Sequence, residues 1–481
     1  MPELSRSHRM LVLVICCFSL FIVGMDSTIV NVALPSIGRD LHASVAGLQW
    51  TVDGYTLVLA SLLMLSGATA DRVGRRRTFQ VGLLVFTIGS GLCSLAPGLG
   101  WLIAFRMMQA VGGSMLNPVA MSIITNTFTD RAERARALGA WGATFALSVA
   151  LGPVIGGVLV EAVGWRGVFW VNIPIGLAAI ALTARYVPES KAPRPRRPDP
   201  AGQGLLIVML GSLTYAIIEG PTDGWHSAEI LGLFAVAAVA AAAFIVFEMR
   251  RTEPVLDPRF FRSVPFTGAV LTAISAFGAL GGFLFLATLY LQDVRDMSAL
   301  AAGLHMVPMA AAMAVGAVVS SRVLARSGGR LPTVAAGAAI AAGALLLSGI
   351  TTSWSTLHIV AVFAVFGLGS GLVNAPITQA AVSGMPLSQA GVASGIASTS
   401  RQVGTSLGVA LSGSILAANL HGSLQAGFVP ASHAAWLLLA GCGAAIMVLG
   451  LAANSRWAAG TAARTAAAYE DAGTKAPAMS A

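Results

Sequence analysis

Apolar residues run along this chain in long blocks separated by short polar connections. Fourteen blocks approach or exceed the roughly 20 residues that cross a bilayer as a helix. They are 10–33, 47–70, 79–96, 100–123, 138–160, 166–186, 203–219, 227–247, 266–291, 301–324, 331–351, 357–380, 393–417 and 432–454. The third and seventh are short, and a tight turn at Gly164-Trp165 divides the fifth from the sixth. The pattern predicts an all-α polytopic membrane protein, and an even count of spans puts both termini on one side.

Charge placement orients the spans. Cytoplasmic loops are enriched in Lys and Arg. With the N-terminus inside, 24 of the 29 basic residues fall in inside segments and 3 (Arg39, Arg166, Arg295) in outside loops. Arg106 and Arg401 lie within spans. The net charge of +9, which in a soluble chain would suggest nucleic acid, is therefore a topology signal, and no nucleic-acid partner is expected. Composition agrees. The chain is 56% apolar and 10% charged, against about 25% charged in a soluble domain, and its mean hydropathy is +0.79. A disordered chain and a soluble enzyme are excluded. Cys16, Cys17, Cys93 and Cys442 lie in apolar stretches with no metal or disulfide spacing. No cleavable signal peptide is expected, because the first block is too long and contains Asp26.

The proline-dense run Pro188–Pro200 reads as an exposed, semi-rigid linker. It sets expected boundaries: a six-helix unit over 1–187, a linker over 188–202, two inserted helices over 203–262, a second six-helix unit over 263–456 and a flexible tail over 457–481. Two weak repeats support a duplication. Gly67–Arg76 matches Ser321–Arg330 at an offset of 254, and Ala46–Trp50 matches Ala302–Met306 at 256. Parallel six-helix halves are a transporter architecture with the substrate site between them.

Ionisable residues inside a span are costly and mark candidate function. Asp26, Asp53 and Arg106 lie about 11, 9 and 9 Å from the outer ends of their spans at about 1.5 Å per residue. At one depth, Asp26 could alternate between a proton and a cationic substrate, or simply pair with Arg106 for packing. Asp53 could instead meet interfacial water. Span five has small residues at Ser148, Gly152 and Gly156, and a kinking Pro153. That face serves packing alone or a hinge; Ser400, Gly404, Gly408 and Ser412 form a similar stripe. The loop Gly67–Arg77 places Asp71 among four arginines. Its carboxylate could hold an arginine or a helix N-terminus, as a lock on the cytoplasmic side.

Together these residues resemble the major facilitator superfamily, in particular its fourteen-span drug:proton antiporter branch of methylenomycin and multidrug resistance transporters. The resemblance is carried by Asp26–Pro35, Gly67–Arg76, Arg106–Gly113, Gly152–Gly157 and Trp165–Pro174, with Tyr290–Gln292 and Arg401–Gly404 downstream. It implies two six-helix halves plus two central helices, and export of a small lipophilic drug or antibiotic in exchange for protons. Asp26 and Arg106 would be coupling residues, with Asp53 added from its depth. Gly67, Asp71, Arg72, Gly74, Arg75 and Arg76 would form the cytoplasmic gate, and Gly152, Pro153, Gly156 and Gly157 the hinge. The expected location is a bacterial cell membrane. The expected energy source is the proton gradient, with no cofactor or metal, and the expected working unit is a monomer.

One departure bears on substrate. Between Asp257 and Glu470 the only acids are Asp293 and Asp296, both in an outside loop. The second half thus carries no embedded carboxylate, which argues against divalent cations and favours monovalent lipophilic cations or neutral and weakly acidic antibiotics. An ATP-driven pump is excluded because no Gly-Lys-Ser/Thr sequence exists. The seven histidines are scattered without an acid at catalytic spacing, so no enzyme is expected. The rival reading is a proton symporter or facilitator for a small metabolite on the same fold.

Overall fold

The structure is a computed structural model. It describes residues 5–192, 199–251, 254, 256–383, 385 and 389–474. Every apolar block lies in a helix. The first seven helices are α1 (Arg6–Leu41), α2 (Val45–Val73), α3 (Arg75–Ser94), α4 (Leu99–Thr127), α5 (Arg131–Val163), α6 (Gly167–Trp170) and α7 (Asn172–Tyr186). The inserted pair is α8 (Pro200–Asp223) and α9 (Ala228–Met249). Then follow α10 (Val264–Leu289), α11 (Ala299–Ser327), α12 (Arg330–Ser348), α13 (Thr356–Leu372), α14 (Asn374–Val382), α15 (Ala390–Asn419), α16 (Leu424–Ala453) and α17 (Arg456–Thr474). Block six is α6 with α7, and block twelve is α13 with α14.

Eleven helical runs among the described residues are long and apolar enough to cross a membrane. The blocks in α3, α4 and α15 fall outside that group because Arg, Gln and Asn dilute them, along with many small Gly, Ser and Thr. The small residues let helices approach closely. A Cβ on Gly89 of α3 would come within 2.7 Å of the Gln109 Cα of α4, and one on Gly337 of α12 within 2.6 Å of the Gly443 oxygen of α16. Local chemistry sets the ends. Ser44, Asp130, Ser227, Ser298 and Ser423 each accept a first-turn backbone N–H. Gly74 (φ 132°) and Gly328 (φ 75°), which correspond in the repeat, terminate α2 and α11.

Helices α1–α7 pack together and α10–α16 pack together, forming two halves. The α8–α9 hairpin straddles the seam between α2 and α15. Gln203 donates to the Ser61 carbonyl, Trp50 Nε1 to Glu219 Oε1 (2.7 Å), and Ser414 to the Ile217 carbonyl. Arg9 pairs with Glu133 near the start of α5, and Gly268 near the start of α10 abuts Ala453 at the end of α16. Arg39 at the end of α1 meets Asp293 in the turn that follows α10, so these two helices run in parallel. The start of α1 and the end of α16 therefore lie on one face, here called the terminal face. Toward the opposite face the halves are joined. Gln292 Nε2 donates to the Val32 carbonyl (2.8 Å), Gln49 Nε2 to the Ala410 carbonyl (2.7 Å), and the Leu300 N–H to Glu161 Oε1 (2.9 Å).

The tail departs from expectation. Instead of a flexible segment from 457, α17 continues to Thr474, and 475–481 lie outside the described residues. Its alanines favour helix, and Ala458, Thr461, Ala462 and Thr465 form one buried face. Thr461 Oγ1 accepts the Val264 N–H at 3.0 Å, and Tyr469 donates to Asp257 at 2.6 Å. The start of the linker is likewise tied down. Arg75 N–H donates to the Ser190 carbonyl (2.9 Å), and Ala192 N–H to the Asp71 carbonyl (3.0 Å). Linker residues 193–198 lie outside the described residues.

Candidate functional site

The bundle α1, α2, α4 and α7 encloses a carboxylate and a guanidinium. Asp26 on α1 and Arg106 on α4 are 0% and 1% exposed. Asp26 Oδ2 accepts from Arg106 Nη1 at 2.5 Å. Its other oxygen accepts from Gln109 Nε2 and Asn172 Nδ2, both at 2.9 Å. Gln109 Oε1 accepts from Arg106 Nη1 at 2.8 Å, and Arg106 Nε donates to the Thr51 carbonyl at 3.4 Å. Asn172 is itself steadied by Ser90 (3.1 Å), whose hydroxyl donates to the Phe169 carbonyl (2.9 Å). The Tyr55 ring covers the guanidinium at 4.2 Å. An ion pair this dry persists because each partner is hydrogen-bonded as well as paired.

Asp53 has the expected depth but not the expected company. On α2 it stands two residues from both Thr51 and Tyr55, about 200° around the helix. Those two face Arg106, and Asp53 faces α15. Its Oδ1 accepts from Thr56 at 3.2 Å, its Oδ2 has no hydrogen-bond partner among the described residues, and the Ser406 side chain of α15 is a neighbour of the carboxylate. The structure thus joins Asp26 to Arg106 and places Asp53 separately, at the seam between the halves.

The Gly152–Gly157 segment faces two partners. A Cβ on Gly152 would press on Thr28 and lie 3.2 Å from the Met25 oxygen, and one on Gly156 would lie 2.8 Å from Ile29 Cγ1, all on α1. A Cβ on Gly157 would lie 2.5 Å from Leu300 Cα on α11, and the Pro153 carbonyl abuts Gly303 there. Two adjacent stripes of the segment therefore touch the helix of Asp26 and the other half.

At the terminal face Asp71 holds Arg75 at 2.8 Å, one turn along. The N-terminus of α3 is capped from the linker: Arg76 and Arg77 N–H groups donate to the two Glu189 oxygens at 3.1 and 3.3 Å. A Cβ on Gly74 would come within 2.7 Å of Glu189, so the glycine gives both the turn and the room. Arg72 is exposed, Arg76 Nη1 donates to the Val187 carbonyl (3.4 Å), and Gly67 lies against Pro118. The named partners in this cluster all belong to the first half or its linker.

Sequence reasoning assigned no role to Gln109, Asn172, Tyr55 or Glu189. The first two stood inside quoted motifs, and a buried amide at the depth of a buried acid was their signal. Glu189 in a proline-rich run carried none.

The family model described as Major Facilitator Superfamily matches residues 16–409. The chain is 37% identical over 417 residues to the multidrug resistance protein Stp of Mycobacterium tuberculosis, covering 87% of this chain and 78% of that protein. It is 38% identical to the tetracenomycin C resistance and export protein of Streptomyces glaucescens (83% and 74% covered). It is also 38% identical to the methylenomycin A resistance protein of Streptomyces coelicolor (82% of each). Among solved structures, a bacterial homolog of the human lysosomal transporter Spinster superposes with a TM-score of 0.64, covering 97% of this chain and 98% of that one at 18% identity, a likeness of fold.

Proposed function

Because the chain belongs to the Major Facilitator Superfamily, we propose that it is a proton-coupled efflux antiporter that exports a drug or antibiotic from the cytoplasm by alternating access. The observation that carries the proposal is the dry Asp26–Arg106 pair, held by Gln109 and Asn172. A proton on Asp26 removes the charge that holds Arg106, and the guanidinium must then find another partner or the helices must move. A cation binding Asp26 would do the same, so proton and substrate exclude one another. Asp53 sits at the seam where the halves slide, as a second acid within reach of substrate. Gly152, Pro153, Gly156 and Gly157 form the hinge face, and Gly67–Arg76 the cytoplasmic gate.

The reading places fourteen spans in a bacterial cell membrane with both termini cytoplasmic, on the strength of 24 inside against 3 outside basic residues. The units are 1–187 and 263–456, with 203–262 inserted. The terminal face is then cytoplasmic, and a molecule joined toward the opposite face is in its cytoplasm-facing state. The protein works as a monomer without a cofactor. Its substrates are monovalent lipophilic cations or neutral and weakly acidic antibiotics, because its second half adds no embedded acid.

The test is proton movement in acid-loaded inverted vesicles challenged with cationic dyes, neutral antibiotics and weak acids. An antiporter releases lumenal protons when substrate is added. Proton movement of the opposite sign, or none with any substrate, overturns the reading.

A further inference from the structure

Away from the transport path, α17 and the segment before α10 enclose a cavity of about 300 Å³ at the terminal face. Arg259, Arg262, Arg464, Thr461, Thr465 and Tyr469 line it. Its charge is unbalanced. Asp257 is engaged, accepting from Arg259 at 2.9–3.1 Å and from Tyr469 at 2.6 Å. Arg259 is further fixed with its guanidinium 5.2 Å from the Tyr469 ring. Arg262 and Arg464 are exposed, and neither has a hydrogen-bond or ion-pair partner among the described residues. Among the described side chains, three guanidinium groups against one carboxylate leave an excess of two positive charges around a concave site.

Guanidinium forks match the oxygens of a phosphate better than those of a point anion. The setting adds a second indication. Helix α17 buries one face on the protein and opens with Trp457, which is 66% exposed. A tryptophan so placed suits the headgroup level of a membrane, and basic pockets at the cytoplasmic surface suit anionic headgroups. We infer that this cavity binds a phosphate-bearing anion, supplied by an anionic phospholipid of the adjoining leaflet or by a soluble phosphate compound. The lipid source rests on the topology proposed above; the anion site itself does not.

The test uses the purified full chain in detergent at constant ionic strength. Thermal unfolding is followed while phosphatidylglycerol, zwitterionic phosphatidylcholine or inorganic phosphate is titrated, for the wild type and for Arg262→Gln/Arg464→Gln. Phosphatidylglycerol should stabilise the wild type, with half-saturation about twenty-fivefold higher in the double variant, from about fivefold per arginine. Arg262→Lys/Arg464→Lys keeps the charge and should recover part of the response. A response to phosphatidylglycerol alone identifies the lipid, and one to inorganic phosphate identifies a soluble ligand. Equal responses to the two phospholipids, equal responses of wild type and Gln variant, or no response overturn the site. None of these readouts involves efflux, so a failure here and a failure of the transport reading are separate results.

Discussion

Asp26→Asn keeps the shape of the side chain, removes its charge and replaces one acceptor with a donor. Three donors converge on the native carboxylate: Arg106 Nη1, Gln109 Nε2 and Asn172 Nδ2. The amide nitrogen of an asparagine would have to face at least one of them, and Arg106, 1% exposed, would be left as a buried cation without its counter-ion. Removing one partner of a buried pair costs about 3–5 kcal/mol. The variant should therefore unfold at a clearly lower temperature and lose substrate-driven proton release. Asp26→Asn/Arg106→Gln removes both charges, so it should unfold closer to the wild type than the single variant does while remaining uncoupled. Thermal unfolding of purified protein and fluorescent proton-release measurements in inverted vesicles read the two effects separately. A single variant with wild-type stability and wild-type proton release would refute the assignment of this pair. A double variant no more stable than the single one would refute the energetic argument.

Asp71→Asn removes an ion pair to Arg75 at a third-exposed carboxylate, worth about 0.2–1 kcal/mol. It should slow efflux severalfold with little change in unfolding temperature; a normal efflux rate would remove Asp71 from the gate. The Asp257 carboxyl is raised by burial, but hydrogen bonds from Arg259 and Tyr469 outweigh this and hold it below the usual carboxylate range. Its folded pKa lies below the unfolded value of about 3.9, so its contribution to docking α17 is complete above about pH 4 and is lost as pH falls through the folded pKa. Asp257→Asn should free α17 at neutral pH, seen as faster proteolysis of the C-terminal segment, whereas the wild type should resist from pH 8 down to about pH 5.

The spans were legible because each apolar block is a stretch whose backbone must satisfy itself, and in lipid only a helix or closed barrel does so. The Asp26–Arg106 pair was legible because two ionisable residues in an apolar background stand out and their depths can be counted. Depth does not give facing. Asp53 matches the pair in height, yet a turn of about 200° from Thr51 sends it to α15, and that angle becomes decisive only once the packing of α2 is known. The role of Glu189 was hidden for another reason: capping of α3 is a contact across more than 110 residues, and a proline-rich run signals the absence of helix, not where its side chains dock. The helix α17 was not legible because its polar, Ala-rich sequence has no span-like pattern, while Tyr469 and Thr461 meet the rest of the chain through single contacts at a distance in sequence.

The glycines of α5 separate what happens within one half from what happens between halves. A Cβ on Gly152 would press on Thr28 of α1, two residues past Asp26, a contact internal to the first half, which the alternating-access reading keeps in both states. A Cβ on Gly157 would strike Leu300 and Ala299 of α11, in the other half, a contact that the alternating-access reading requires to open when the halves part toward the opposite face. Overpacking of this kind costs about 1–3 kcal/mol. In Gly152→Ala the penalty falls on both states and lowers stability. In Gly157→Ala it falls on one state, which about 1–3 kcal/mol disfavours roughly 5- to 150-fold. Spin labels at Leu95 and Leu357, both exposed toward the opposite face in different halves, read the separation there, with the native cysteines replaced. Gly157→Ala should shift the distribution to longer distances, and Gly152→Ala should leave it in place while lowering the unfolding temperature. If Gly157→Ala leaves the distances unchanged, the α5–α11 contact is not what holds that face closed, and the hinge reading of this segment fails.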